Sequence, residues 1–173
     1  MRTIVRAAST AALGTLALTL LGVPGGPPVA APAPTVALMA AAGPSAAQQM
    51  LALVNSERAK AGCQPVGLDS RLTAAATKHS QEMAQKGYFS HIAPYGSTFV
   101  GRTEREGYAS PRSENIAAGN TTAQATMRQW MSSPGHRRNI LDCTAKDMGV
   151  GIASAGDSEY GTYWTQEFGQ GAG

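Results

Sequence analysis

The stretch at residues 130–141 reads WMSSPGHRRNIL, and it predicts the end of one helix and the start of the next. Ser133 is a typical N-cap residue, and Pro134 suits the first position of a helix because its missing N–H would have no partner there. The stretch places His136 at the beginning of the second helix. From the residues alone, His136 is either a site residue or a histidine packed at a helix start.

Two other short segments contribute chemically useful side chains. Residues 89–91 read Phe-Ser-His and supply His91, and residues 113–117 read Ser-Glu-Asn-Ile-Ala and supply Glu114. Two imidazoles and a carboxylate from separate segments predict a metal site or an acid–base site. The alternative is that Glu114 only holds loops in place through hydrogen bonds to the backbone.

The third histidine, His79, has a different setting. It recurs with Leu72, Ala76 and Met83 at steps of four, three and four residues along a predicted helix. This spacing places all four side chains on one apolar face. We therefore interpret His79 as a hydrogen-bonded core histidine.

The N-terminal region has the pattern of an export signal. Arg2 and Arg6 precede an almost uncharged stretch, residues 7–23, and a segment rich in Pro, Gly and Ala follows. We predict a signal peptide at residues 1–31, with cleavage as late as residue 42, a Pro/Ala-rich linker at 32–45 and one domain at 46–170. A retained membrane anchor is the alternative, since about 17 apolar residues is the short limit for a spanning helix. The expected location is secreted and extracellular.

The charge balance argues against nucleic acid as a partner. The chain has a formal net charge of +3, and loss of Arg2 and Arg6 with the signal peptide would bring it close to neutral. Arg137 and Arg138 form one basic cluster, which we interpret as a solvated helix face. The mature domain contains no apolar stretch long enough to span a membrane, and we expect it to be a monomer.

The chain has two cysteines, Cys63 and Cys143. Because an exported protein meets an oxidising environment, we predict that they form a disulfide. Closing a loop of about 80 residues would stabilise the domain by roughly 4 kcal/mol in the chain-entropy model. Two free thiols, or a catalytic cysteine, are the alternative.

Sequence periodicity predicts helices first and a hairpin last. Apolar spacing indicates helices over residues 45–61, 70–86, 99–106 and 122–132. The predicted capping residues are Ser45 for the first helix, Asp69 or Ser70 for the second, and Thr121 or Thr122 for the fourth. Residues 114–118 read as an extended segment, and residues 148–153 and 162–168 read as strands. This order predicts an α+β fold with a small antiparallel sheet.

Taken together, the quoted segments resemble the CAP superfamily, which comprises the cysteine-rich secretory proteins, antigen 5, the pathogenesis-related proteins and their bacterial relatives. The two cysteines and the Ser-Pro-Gly-His segment are similar to its bacterial, extracellular branch. The resemblance implies an α-β-α sandwich, in which helices flank a small central antiparallel sheet.

The family site is a tetrad of two histidines and two glutamates. By resemblance, His91, Glu114 and His136 match three of its members. The second glutamate would lie three residues after Trp130, where this chain has Ser133. Glu167 is a possible substitute, but its parity along the strand is opposite to that of Trp164 and Phe168, so it need not point into the core.

We expect a secreted, non-catalytic module that binds a lipid, peptide or protein in its cleft and carries a His-Glu-His divalent-metal site. Zinc is the candidate metal, bound weakly and reversibly. One alternative is a metal-assisted or serine-type extracellular hydrolase, although neither Ser90 nor Ser133 lies in a nucleophile elbow. The other is a structural secreted protein stabilised by its disulfide.

Overall fold

The computed structural model describes residues 43–156 and 158–171. The predicted signal peptide and most of the predicted linker lie outside the described residues. The helices and strands within them are α1 (Ala46–Lys60), β1 (Gly67–Leu68), α2 (Ser70–Lys86), α3 (Phe99–Arg105), β2 (Pro111–Ala118), α4 (Ala123–Ser132), α5 (Pro134–Ile140), β3 (Asp147–Ser154) and β4 (Thr162–Gly169).

The helix starts follow the predicted capping residues. Ser45 forms a reciprocal capping box with Gln48, and the Asp69 carboxylate accepts hydrogen bonds from two backbone amides at the start of α2. Thr122 caps α4 in the same way. Ser133 occupies the N-cap position of α5, but its side chain makes no capping hydrogen bond. Its predicted capping role is therefore limited to its backbone position, ahead of Pro134.

The sheet has the strand order β1-β3-β4-β2. The pairs β2–β4 and β3–β4 are antiparallel, which confirms the predicted antiparallel sheet between helices. A two-residue strand, β1, adds a short parallel pair at one edge, where Gly67 and Leu68 align with Asp147 and Met148. Two residues are too few to show a periodic pattern, so this strand was not predicted. β2 also begins earlier than predicted, at Pro111.

Helix α2 packs directly on one face of the sheet. Two glycines of β3 permit this approach: a Cβ on Gly149 would lie 2.1 Å from the carbonyl carbon of Leu72, and one on Gly151 would lie 2.2 Å from that of Ala76. The opposite face packs against α1, α4 and α5 through an apolar core. Both faces of the sheet are therefore buried, and side chains of either parity along a strand lie inside the molecule.

A buried arginine and the disulfide join the end of α1 to the segment after α5. Arg58 is fully buried and donates four hydrogen bonds, all to backbone carbonyls, those of Gln64, Ile140, Asp142 and Ala145. Cys63 and Cys143 form the predicted disulfide a few residues away. The segment that follows the His136 helix is thus held twice.

None of the helices within the described residues combines the length and hydropathy needed to cross a membrane.

Candidate functional site

The candidate site lies along β2, an edge strand of the sheet. Two side chains cap the outward-facing carbonyls of this strand: Asn139 Nδ2 donates to the carbonyl of Glu114 at 3.2 Å, and Trp130 Nε1 donates to that of Ile116 at 3.1 Å. Residues 130–141 therefore cover the open edge of β2. They also bring α5, with His136, next to Glu114.

Glu114 holds His91 in a defined orientation. His91 Nδ1 donates to Glu114 Oε1 at 2.7 Å. The Glu114 side chain is 1% exposed, whereas that of His91 is 53% exposed. Because Nδ1 is engaged, Nε2 is the ring nitrogen left to contact a ligand or a metal.

The other oxygen of Glu114 pairs with Arg102, a buried arginine of α3. Burial alone would raise the pKa of Glu114, but the hydrogen bond from His91 and the charge of Arg102 outweigh it and lower that pKa. Glu114 is therefore ionised at neutral pH, with both oxygens occupied. Arg102 was missed by sequence reasoning, because an arginine in a short amphipathic helix is normally a surface residue.

His79 is the core histidine that its spacing predicted. It is fully buried, and its Nε2 donates to the carbonyl of Ser90 at 3.0 Å. Nε2 also lies 3.9 Å from Glu114 Oε2. Burial lowers the pKa of His79 to about 4, so the ring is neutral and holds the residue immediately before His91.

His136 lies in α5, which packs on the face of the sheet opposite to α2. Asn115 Nδ2 donates to its carbonyl at 3.3 Å, and its own Nδ1 is buried without a hydrogen-bond partner among the described residues. Burial, together with the nearby charge of His91, lowers the pKa of His136. Both effects favour the neutral form of His136.

The two serines near the site are not paired with an imidazole. Ser90 Oγ accepts a hydrogen bond from the amide of Ile92. Among the described residues, neither Ser90 nor Ser133 donates a side-chain hydrogen bond to His91 or His136. The site thus has a base oriented by a carboxylate, without a serine nucleophile aligned to it.

A second glutamate does lie beside Glu114. Glu167 aligns with Glu114 across the β2–β4 pair and is fully buried, and in its protonated form its carboxyl group can donate a hydrogen bond to the Glu114 carboxylate. Burial and the charge of Glu114 raise the pKa of Glu167 well above its usual value. Its parity along β4 is opposite to that of Trp164 and Phe168, as predicted, and its side chain is nonetheless buried because α2 covers that face of the sheet.

Exposed apolar side chains surround His91. Phe89, Ile92 and Tyr95 of the same loop are 43%, 55% and 89% exposed. The ring of Phe89 contacts that of Tyr160 from the β3–β4 turn, with centroids 5.8 Å apart. The polar site therefore opens onto an apolar rim.

The arrangement of donors bears directly on metal binding. Within residues 43–156 and 158–171, no cluster of three or more His, Cys, Asp or Glu side chains has a geometry that could hold a metal ion. Both oxygens of Glu114 already have partners. Of the three predicted site residues, the two imidazoles are the ones that keep a ring nitrogen without a hydrogen-bond partner among the described residues.

Comparisons with known proteins agree with this architecture. Residues 51–168 match the family model described as "CAP: Cysteine-rich secretory protein family". YkwD of Bacillus subtilis (strain 168) is 38% identical over 122 residues, covering 70% of this chain and 46% of YkwD. The membrane protein YlbC of the same organism is 31% identical over 123 residues, covering 70% of this chain and 33% of YlbC. The chain thus spans less than half the length of these two relatives.

A solved structure shows the same fold. An extracellular protein containing an SCP domain from Bacillus anthracis str. Ames superposes with a TM-score of 0.66 at 30% sequence identity, covering 73% of this chain and 40% of that one. The family match includes the segments that supply His91, Glu114 and His136. The chain belongs to the CAP family of cysteine-rich secretory proteins.

Proposed function

We propose that this CAP domain is an extracellular, non-catalytic binding module that contacts its ligand at the site of His91 and His136. One observation carries the proposal: His91 is half exposed, while the carboxylate that orients it is almost completely buried. Such an imidazole keeps a fixed direction in the free protein, so binding does not have to order it. The disulfide, the export pattern of the N-terminus and the extracellular Bacillus anthracis neighbour support the location.

The rim indicates a ligand with an apolar part: a lipid, a peptide or a protein segment. Exposed aromatic side chains beside a polar site favour such contacts. A fluorescent fatty acid is a direct probe, with Phe89→Ser and Leu68→Ser as a matched pair, because the two residues are 43% and 40% exposed. Phe89→Ser should weaken binding about tenfold, whereas Leu68→Ser should not change it. Equal affinities for the two variants would exclude the rim as the contact surface for this class of ligand.

We further propose that His91 and His136 bind zinc weakly and reversibly. The free Nε2 of His91 and the unpartnered Nδ1 of His136 fit a pair of nitrogen donors. Glu114 would have the role of a carboxylate that orients a metal-binding histidine. With only two protein donors, the affinity should lie well below that of a structural zinc site, and the bound ion would supply positive charge to an anionic group of the ligand.

Calorimetric titration of the mature protein with zinc tests this part. At about pH 7.5 the parent and Ser133→Ala should give the same heat, and His91→Ala and His136→Ala should both lose it. The affinity should fall as the pH drops through about 6.5, because the imidazoles must be neutral to bind. Heat that persists in both histidine variants would place the metal elsewhere. If zinc raises the melting temperature but leaves the affinity for the fluorescent fatty acid unchanged, a structural role for the metal would be favoured.

One observation favours a second candidate, an extracellular hydrolase. The hydrogen-bonded pair of Glu114 and His91 has the arrangement of a general base with its orienting carboxylate, and it could activate water. This candidate would be supported if the parent hydrolyses ester or peptide substrates, His91→Ala does not, and added metal fails to restore activity to the variant. Absence of turnover with and without zinc would favour the binding module.

A further inference from the structure

We infer that Arg102 is the positioning residue of the site: it anchors the backbone of His91 and the carboxylate that orients its ring at the same time. This inference rests on the proposed function only in taking His91 as a ligand-contacting residue; the contacts of Arg102 do not depend on it. Arg102 is 4% exposed and belongs to α3, outside the segments that supply His91, Glu114 and His136.

The contacts of Arg102 hold His91, its carboxylate partner and its loop. Its Nη2 donates to the carbonyl of His91 at 3.1 Å and also pairs with Glu114 Oε2. Its Nη1 donates to the carbonyl of Ser97 at 2.8 Å. The ring of His91 is in turn bonded to the other oxygen of Glu114. A single guanidinium therefore fixes the main chain of His91, its side-chain partner and the far end of its loop.

His79 completes the support from the other side. Its neutral ring binds the carbonyl of Ser90, the residue before His91. The loop is thus held at three points, Ser90, His91 and Ser97, by two buried side chains. Both supporting side chains are buried, whereas the His91 ring is half exposed. The orientation of this ring is therefore fixed by contacts inside the domain.

A simpler role for Arg102 would be to neutralise Glu114 in the interior. The two roles differ in geometry: a lysine can supply the charge, but it lacks the planar fork that reaches two carbonyls and a carboxylate together. Arg102→Lys therefore separates positioning from neutralisation. Arg105→Lys is the matched control, because Arg105 lies in the same helix and bonds Ser97 Oγ at 2.6 Å without touching His91 or Glu114.

Nuclear magnetic resonance of the histidine rings provides the readout, and the chain has three histidines to assign. In the full mature protein, the Nδ1–H of His91 should give a downfield, slowly exchanging signal. This signal should disappear in Arg102→Lys and persist in Arg105→Lys. Zinc affinity should fall about tenfold in the first variant and stay unchanged in the second. An Arg102→Lys protein with the parent signal and the parent zinc affinity would overturn the inference.

A measurement on the unmodified protein covers the case in which Arg102→Lys fails to fold. A guanidinium held by three acceptors should rotate slowly and give resolved Nη proton signals at low temperature, whereas the exposed Arg105 should give averaged ones. Averaged signals for Arg102 would contradict a positioning role. If the parent binds no zinc, the metal proposal fails, but both ring and guanidinium signals still test Arg102.

Discussion

Two buried arginines lie at opposite sides of this domain, and they serve different purposes. Arg58 donates only to backbone carbonyls and, with the disulfide, joins α1 to the segment after α5. Arg102 pairs with an ionised carboxylate and binds the loop of an exposed histidine. A guanidinium satisfied by carbonyls supports the fold, whereas one paired with Glu114 also determines the direction of a surface side chain.

Replacing Arg58 should have the largest effect on stability. Arg58→Met would leave four carbonyl contacts without a donor in a buried region, and we expect a loss of about 4–5 kcal/mol in the free energy of unfolding. Urea denaturation measures it. Under conditions where the variant is folded, the His91 Nδ1–H signal should match that of the parent. A loss of that signal before global unfolding would mean that the two arginines are not separable.

Removing the disulfide should cost slightly less. Cys63→Ala with Cys143→Ala frees the unfolded chain from an 80-residue loop, and we expect a loss of about 3–4 kcal/mol. The site should be unaffected, because Arg58 still joins the same two segments. Thermal unfolding, together with zinc titration of the folded variant, checks both statements. A stability close to that of the parent would show that Arg58 alone accounts for the connection.

Glu167 tests whether burial next to the Glu114–Arg102 ion pair keeps a carboxyl group protonated. Its pKa is raised in the folded protein, so the folded state keeps a proton that the unfolded chain loses above about pH 4.5. The stability contributed by this proton is present below that pH and is lost as the pH rises towards the folded pKa. As the pH rises, the free energy of unfolding of Glu167→Gln should therefore increase relative to that of the parent. The gain is up to about 1.4 kcal/mol for each pH unit between about 4.5 and the raised pKa of Glu167 in the folded protein.

Denaturation at several pH values measures this difference. Zinc binding should be retained in Glu167→Gln, because Glu114 keeps both of its partners. A constant stability difference between the two proteins from acidic to alkaline pH would show that the pKa of Glu167 is not raised in the folded protein.

The smallest effect is expected at an exposed ion pair near the same region. Lys78 and Glu106 join α2 to the end of α3 at 2.6 Å, but the lysine side chain is 66% exposed. Lys78→Ala should cost less than about 0.5 kcal/mol and leave the His91 signal unchanged. A cost comparable to that of the buried groups would indicate that burial is not what separates the two kinds of contact.

The sequence predicted the helices and the main strands because their signals are local. Helix starts are indicated by the N-cap side chains of Ser45, Asp69 and Thr122. Apolar spacing indicates which face of each helix packs against the core. The two-residue β1 carries no such signal, and its pairing depends on β3, far along the chain. The approach of Glu114 to His91 followed from the family pattern rather than from the residues alone.

The supports of the site were not predictable, because they depend on which faces are covered. Glu167 lies on the strand face opposite to Trp164 and Phe168, and only the packing of α2 shows that this face is buried as well. Arg102 lies in the same short helix as the exposed Arg105, three residues later, and no sequence signal marks it as the buried one. Tertiary contacts alone distinguish a buried guanidinium from a surface one.

Zinc titration of the parent protein, followed through its three histidine rings, tests the central claim most directly. The rings of His91 and His136 should shift together and saturate at the same zinc concentration, while the buried His79 should remain unchanged. This result would confirm one shared site at the cleft. Independent shifts of His91 and His136, or a shift of His79 ahead of them, would contradict the account.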